Sequence, residues 1–201
     1  MREFILLALK AKTSPDFSLK DLPKAGRLDV VCRAIANTLW VSQGIREDTV
    51  LHVILNGPKH PPKIIRFEGK EIVGFAFDEQ GIAAIIKEAL GAGIRLGLDD
   101  EVKVREGIYI RKESFESLVR RKSEEKPIYY LHKKGDDIRR SELPEDLVFI
   151  YGDIRGLPKN TERFLKNLKI HKVKLSPVML FASHCPILVH NELDRKRHGW
   201  D

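Results

Sequence analysis

The chain of 201 residues holds only two cysteines, Cys32 and Cys185, and they form no CxxC pair. A zinc framework needs closely paired ligands and a disulfide scaffold needs several bridges, so neither is expected to hold the fold. Both thiols are expected to be free. His184, Cys185 and His190 cluster in sequence, but only two of them would share a helix face and no second ligand pair follows, so no metal is expected. No apolar run approaches the roughly 18–20 residues of a membrane helix, and the N-terminal MREFILLALKAK has a short apolar core without a cleavage site. A cytoplasmic protein away from membranes is expected. The chain also lacks a G-x-S-x-G elbow and a GxxxxGK phosphate loop. Its one glycine-rich stretch, GAGIRLG (91–97), follows a helical pattern rather than a strand, which is the wrong place to cradle a phosphate. It reads as helix termination.

Charge, by contrast, is plentiful. The chain is 32% charged and 42% hydrophobic, with a net charge of +7. Such a composition supports one soluble core and favours a polyanionic partner, since clustered Lys and Arg displace counterions from phosphates. A solvated surface carrying many charges explains the excess equally well. Aromatic residues make up only 7% of the chain, so base-stacking platforms are not evident.

Periodicity gives an α/β rhythm. A short strand opens the chain within 2–11, and 13–23 is a loop punctuated by two prolines. Over 26–45, Leu28, Val31, Ile35 and Leu39 recur at helical spacing, with Gly44 placed to end the helix. The segments 49–57 and 63–69 read as paired strands, with EIVGFAF (71–77) following them, and 78–93 is a helix with an acidic start. A highly charged stretch over 96–127 carries a helix at 113–124. The remainder alternates: strands at 128–135 (ending at His132) and 147–153, a helix at about 160–168, a strand at 171–177, and a last helix at 185–199 with Pro186 in its first turn.

Three strand-terminal loops in this second half stand out: Leu131-His132, YGDIRG (151–156) and LSPVML (175–180). In open α/β sheets, ligands bind beyond the carboxyl ends of the strands, where backbone groups are free. Apolar Leu, Val and Met beside such backbone would suit a flat ring such as adenine. An ordinary core edge would look much the same.

Taken together, GRLDVVCRAI, IYYLH, FIYGDIRG and LSPVMLFASHC resemble the archaeal tRNA pseudouridine N1-methyltransferases of the SPOUT superfamily, and the resemblance runs from MREF to DRKR. It implies one α/β domain over 1–201, a SPOUT-type open sheet with a C-terminal deep trefoil knot. The N-terminal half would span about 1–126 and the knotted, cofactor-binding half about 127–201. General topology rules argue against knots, so this expectation comes from the resemblance alone. It further implies a homodimer that uses S-adenosyl-L-methionine to methylate N1 of pseudouridine 54 in the TΨC loop of tRNA. The cofactor would be held by Leu131, Gly152, Leu175, Ser176, Pro177, Val178, Met179, Leu180 and Cys185. A related ribosomal-RNA pseudouridine N1-methyltransferase, or a knotted RNA-binding protein without catalysis, is the alternative.

The chemistry needs no metal, because a sulfonium methyl is already activated and the enzyme must mainly align it and exclude water. Pseudouridine N1 must lose a proton, so a base, or donors that stabilise a uracil anion, would accelerate transfer. Arg27 and Asp29 are the candidates: an arginine that grips a carbonyl or phosphate, and a carboxylate that orients it or takes a proton. A surface salt bridge at a helix start is an equal alternative. Asp153 is a further candidate, although a carboxylate on a glycine loop is more often a turn former. Arg33, Arg120, Arg121 and Arg155 are the candidate RNA contacts, and Arg195, Lys196 and Arg197 on the final helix are plausible additions. Cys185 reads as a cofactor contact rather than a nucleophile, since direct transfer to nitrogen needs no covalent adduct.

Overall fold

The computed structural model describes residues 1–154 and 156–200. Its centre is β1 (Arg2–Ala8), in which all seven residues are buried. A strand covered on both faces reads as a near-continuous apolar run, which FILLA supplies, while the buried Arg2 and Glu3 at its start are paired with Asp194 and Lys126. The chain continues through α1 (Leu28–Leu39), a two-residue hairpin of β2 (Trp40–Val41) and β3 (Gly44–Ile45), β4 (Thr49–Leu55), β5 (Lys63–Glu68), α2 (Glu79–Ala92), β6 (Glu101–Arg105) and β7 (Ile108–Arg111). Then come α3 (Phe115–Glu125), β8 (Ile128–Asp137), β9 (Leu147–Gly152), α4 (Lys159–Asn167), β10 (His171–Lys174) and α5 (Cys185–Arg197).

One mixed sheet of eight strands runs β10-β8-β9-β1-β4-β5-β7-β6. The strands from β10 to β4 are parallel, and β5, β7 and β6 are added antiparallel. β1 pairs with β4 on one side and β9 on the other, so both stretches of the chain share one sheet. Helices α1, α2 and α5 cover one face around Phe4, Leu28, Ile35 and Val189; α3 and α4 cover the other around Ile5, Leu118 and Leu165.

The structure departs from the sequence pattern at four places. Gly44 does not end α1. The helix stops at Leu39, Trp40 is extended at φ −98, ψ 144, and Gly44 (φ 149) serves the tight hairpin instead. EIVGFAF is not a strand, because β7 occupies the free side of β5 and Gly74 turns the chain at φ 63. Within that stretch Phe75 turns inward, with ring centroids 4.7 Å from Trp40 and 5.8 Å from Phe67. The β6–β7 hairpin was hidden in charge: β6 is an edge strand reading EVKVR, largely exposed, as edges protected by charge tend to be. β8 does not end at His132. Tyr130 pairs with Lys172, the ladder then jumps to Asp136 opposite Val173, and residues 131–135 leave it as an excursion.

Helix α5 is pinned to the sheet through His190. Its Nε2 lies 2.9 Å from the Thr38 carbonyl and its Nδ1 lies 3.1 Å from the Arg2 guanidinium, so a neutral ring donates at one nitrogen and accepts at the other. Burial, with Arg46 and Arg2 nearby, pushes its pKa down to about 3. An unfolded histidine binds a proton near pH 6.5. Between about pH 6.5 and 3 the unfolded chain therefore holds a proton that the folded chain refuses, and stability falls as pH falls through that window. The melting temperature is expected to drop more steeply in wild type than in His190→Gln between pH 6.5 and 4, as read by calorimetry. Equal slopes would remove His190 as the cause.

Candidate active site at the carboxyl edge of the sheet

Parallel strands send their following loops out at one edge. After β1 the chain runs along residues 9–27 and is fastened there: Lys12 N–H donates to Ala25 O at 3.2 Å, Thr13 N–H to Pro58 O at 2.9 Å, and Gly57 N–H to Ala11 O at 2.9 Å. Gly26 lies against the Lys10 carbonyl so closely that any Cβ would overlap it, and its φ of 75 is in the left-handed region. Glycine is required on both counts.

That turn delivers Arg27 to the start of α1, itself at φ 66. Its Nε and Nη2 each donate to one oxygen of Asp29 at 2.9 Å, a fork-to-fork pair. Arg33 adds a bond to Asp29 Oδ2 at 2.8 Å and reaches Glu79 at 3.1 Å. The hydrogen bond from Arg27, working against desolvation and helped by Arg33, holds the Asp29 carboxyl below the usual carboxylate range. So held, Asp29 is a poor proton acceptor. It fixes the Arg27 guanidinium through Nε and Nη2 and leaves Nη1 without a partner among the described residues.

The loop after β9 is tied to the end of β1. Asp153 N–H donates to Leu7 O at 3.1 Å, and the Asp153 carboxylate accepts from Leu9 N–H at 3.1 Å. Asp153 thus acts as a fastener between the two loops, the turn-forming reading. A Cβ on Gly152 would come within 2.5 Å of the Gly156 carbonyl carbon, so this loop folds back onto its own start.

After β10 the segment 175–184 presents Val178, Met179 and Phe181 at 67, 77 and 74% exposure, while Leu175 packs against the core. Among the described residues, the backbone N–H groups of Met179 and Leu180 find no partner. Ser183 O accepts from Asn37 Nδ2 at 2.7 Å, tying this loop to α1. Sequence reading missed Asn37; the link spans 146 residues, and no local pattern announces it. Cys185 opens α5 with Sγ 3.5 Å from Phe181 O, and burial pushes its thiol up to about 11. A thiol so raised is neutral at pH 7 and is no nucleophile.

The chain matches, over residues 1–198, the sequence family described as "Putative SAM-dependent RNA methyltransferase". It is 43% identical to the tRNA (pseudouridine(54)-N(1))-methyltransferase of Methanocaldococcus jannaschii, with 98% of each chain covered. The enzyme of the same description from Thermococcus kodakarensis is 42% identical, over 96% of this chain and 99% of the other. The chain belongs to this methyltransferase family. Among solved structures, Archaeoglobus fulgidus Nep1 bound to S-adenosylhomocysteine superposes with a TM-score of 0.66 at 15% identity, covering 98% of each chain, so the fold is shared as well.

Against this family background, the residues expected to hold a cofactor gather. Leu131 lies within β8, Gly152 ends β9, the run Leu175 to Leu180 follows β10, and Cys185 opens α5; the three strands are neighbours in the sheet. The expected RNA contacts do not gather. Arg33 is on α1, whereas Arg120 and Arg121 lie on α3 across the sheet. Arg120 sits 5.0 Å over the Phe164 ring and Arg121 pairs with the buried Glu113 at 3.0 Å. Arg155 lies outside the described residues.

Proposed function

We propose that this protein transfers a methyl group from S-adenosyl-L-methionine to N1 of pseudouridine 54 in tRNA. The observation that carries this reading is end-to-end similarity to methyltransferases of that description. In this reading the protein acts in the cytoplasm as a homodimer, and its C-terminal part, from about residue 127, is a deep trefoil knot. The chain path supports the knot: β9 leads through α4 to β10, on the far side of β8, and then back across the sheet to place α5 against α1. Exposed Met179, Phe181 and Ile187 support a second copy, which would take these apolar side chains out of water.

The three loops suit the cofactor. Unpartnered N–H groups at Met179 and Leu180 can meet the edge of an adenine, and Leu131, Leu175 and Val178 supply apolar contact for its faces. The tight turn at Gly152 brings backbone rather than side chain to the ligand. Leu175 to Leu180, with Cys185, close the site against water. Bound there, the cofactor supplies an activated sulfonium methyl. Arg27, held by Asp29, directs its free N–H donors toward the uracil carbonyl whose charge grows as N1 gives up its proton.

The test is to incubate the protein and S-adenosylmethionine with pseudouridylated tRNA and, separately, with a pseudouridylated ribosomal helix. Digested products are then examined for N1-methylpseudouridine. Methylation at position 54 of tRNA is expected. Methylation confined to the ribosomal fragment would transfer the activity to that substrate, and no methylation together with no thermal shift at millimolar cofactor would end the enzyme reading.

A further inference from the structure

Three short segments, 128–142, 171–174 and 192–198, carry nine Lys or Arg against five Asp or Glu, a net +4 of the chain's +7. The fold makes them neighbours. β10 pairs with β8, and residues 138–142 follow β8 directly. The last turn of α5 joins them, because Lys196 Nζ donates to Ser141 O at 2.5 Å and Arg139 meets Glu192 at 3.2 Å. Between β8, β10 and 138–142 lies an open trough of about 800 Å³, lined by residues that include Tyr129, Arg140, Ser141, His171, Lys172 and Lys174.

The cations here are available. Among the described residues, Arg140, Lys174, Lys133 and Lys134 make no ion pair, and Arg197 is 69% exposed at 3.6 Å from Asp48. The trough also holds Asp136, Asp137 and Glu142, equal in number to its Arg140, Lys172 and Lys174, so the positive excess comes from Lys133, Lys134 and the last turn of α5 around it. By contrast, Arg27 and Arg33 at the carboxyl-edge site are neutralised in place by Asp29 and Glu79. Those two guanidinium groups are thus committed to carboxylates, whereas the cations of the trough are not.

We infer that this patch is a docking surface for the phosphate backbone of a helical arm of the tRNA, separate from the site that takes the reacting loop. The inference rests on the tRNA reading above. Helix α5 links the two places: its 13 residues span about 20 Å, from Cys185 at the cofactor loops to Arg197 at the patch. That distance is less than one duplex turn of about 34 Å, so one RNA can touch both. Backbone contacts of this kind set affinity and register and leave the choice of nucleotide to the loop site.

The test compares wild type with Arg140→Ala/Lys174→Ala/Arg197→Ala, all exchanges of accessible charges. Each protein is titrated with full-length pseudouridylated tRNA over a range of salt, and is assayed on that tRNA and on an isolated T-loop hairpin. Loss of three phosphate contacts should make the log–log salt dependence shallower by about 2 to 3. KM for full-length tRNA should rise, with KM for S-adenosylmethionine and turnover of the hairpin unchanged. An unchanged salt slope would overturn the patch and leave it to a protein partner or to solvent. Equal loss on tRNA and hairpin would overturn it too, by placing these residues in the reacting site. Wild type that methylates neither RNA would instead overturn the function itself, an outcome distinct from both.

Discussion

Arg27→Ala is expected to lower kcat on pseudouridylated tRNA by about 10²–10³-fold, the usual loss when one preorganised donor to a developing oxyanion is removed. Cofactor affinity should remain as in wild type. The geometry sets this expectation. Arg27 Nε and Nη2 are spent on Asp29 at 2.9 Å each, which fixes the guanidinium plane and leaves Nη1 for a ligand. A donor held before the substrate arrives needs no reorganisation during transfer. The competing account makes Arg27 a surface ion pair, half exposed at 48%, and such pairs contribute little. On that account kcat would be unaffected. Asp29→Asn separates positioning from proton transfer: the amide preserves the shape but loses the charge that orients Arg27, so kcat should fall less than in Arg27→Ala. The pH profile should keep its position, because a carboxyl held below the usual range is not the titrating base. A wild-type rate in Arg27→Ala would remove the arginine from the reaction. A shifted pH profile in Asp29→Asn would restore the carboxylate as proton acceptor.

Much of the sheet was legible because local pattern and tertiary demand agree. FILLA in β1 and VFIY in β9 are continuous apolar runs, as strands covered on both faces usually are, and α1 shows its buried stripe at Leu28, Val31, Ile35 and Leu39. Where the two diverge, the reading failed. The charged β6 hides its pairing with β7, and EIVGFAF looks like a strand whose place another strand has taken. The excursion of residues 131–135 from the β8–β10 ladder is set by β10, which arrives about forty residues later. At the site, the loops after β9 and β10 were legible from the strand ends, whereas Leu131-His132 lies inside β8 rather than at its end. Their cofactor role came from resemblance, because apolar residues beside free backbone look the same at a core edge. Pairing was legible only in part: a salt bridge at the start of α1 was an open alternative and Asp29 does hold Arg27 and Arg33, whereas Arg121 read as a free cation and Glu113 occupies it in the fold.

Gly152→Ala is expected to weaken S-adenosylmethionine binding by tenfold or more. The added methyl would come within 2.5, 2.6 and 2.8 Å of the carbonyl carbon, carbonyl oxygen and Cα of Gly156. All three are backbone atoms, so no side chain can swing aside and the loop itself must open. Overpacking of this kind typically costs about 1–3 kcal/mol, and 1.4 kcal/mol is a factor of ten in binding. The cost should fall mainly on the ligand-holding state. The loop is fastened at Asp153 to Leu7 and Leu9, so its root stays with the sheet while the displacement is passed toward Gly156, on the open side. Calorimetric titration with S-adenosylhomocysteine gives the affinity, and melting of the free protein reports any general loss of stability. A variant with a lower melting temperature but undiminished affinity would show that the tight turn serves the fold alone. A variant that melts like wild type and binds at least tenfold more weakly would place the turn against the cofactor. Gly156→Ala gives the comparison: its own Cβ meets nothing within 4 Å, but its φ of 69 is a left-handed conformation, so that variant tests backbone strain without the overlap. If cofactor binding depends on close packing of the turn rather than on its flexibility, Gly152→Ala should be the more damaging of the two to affinity.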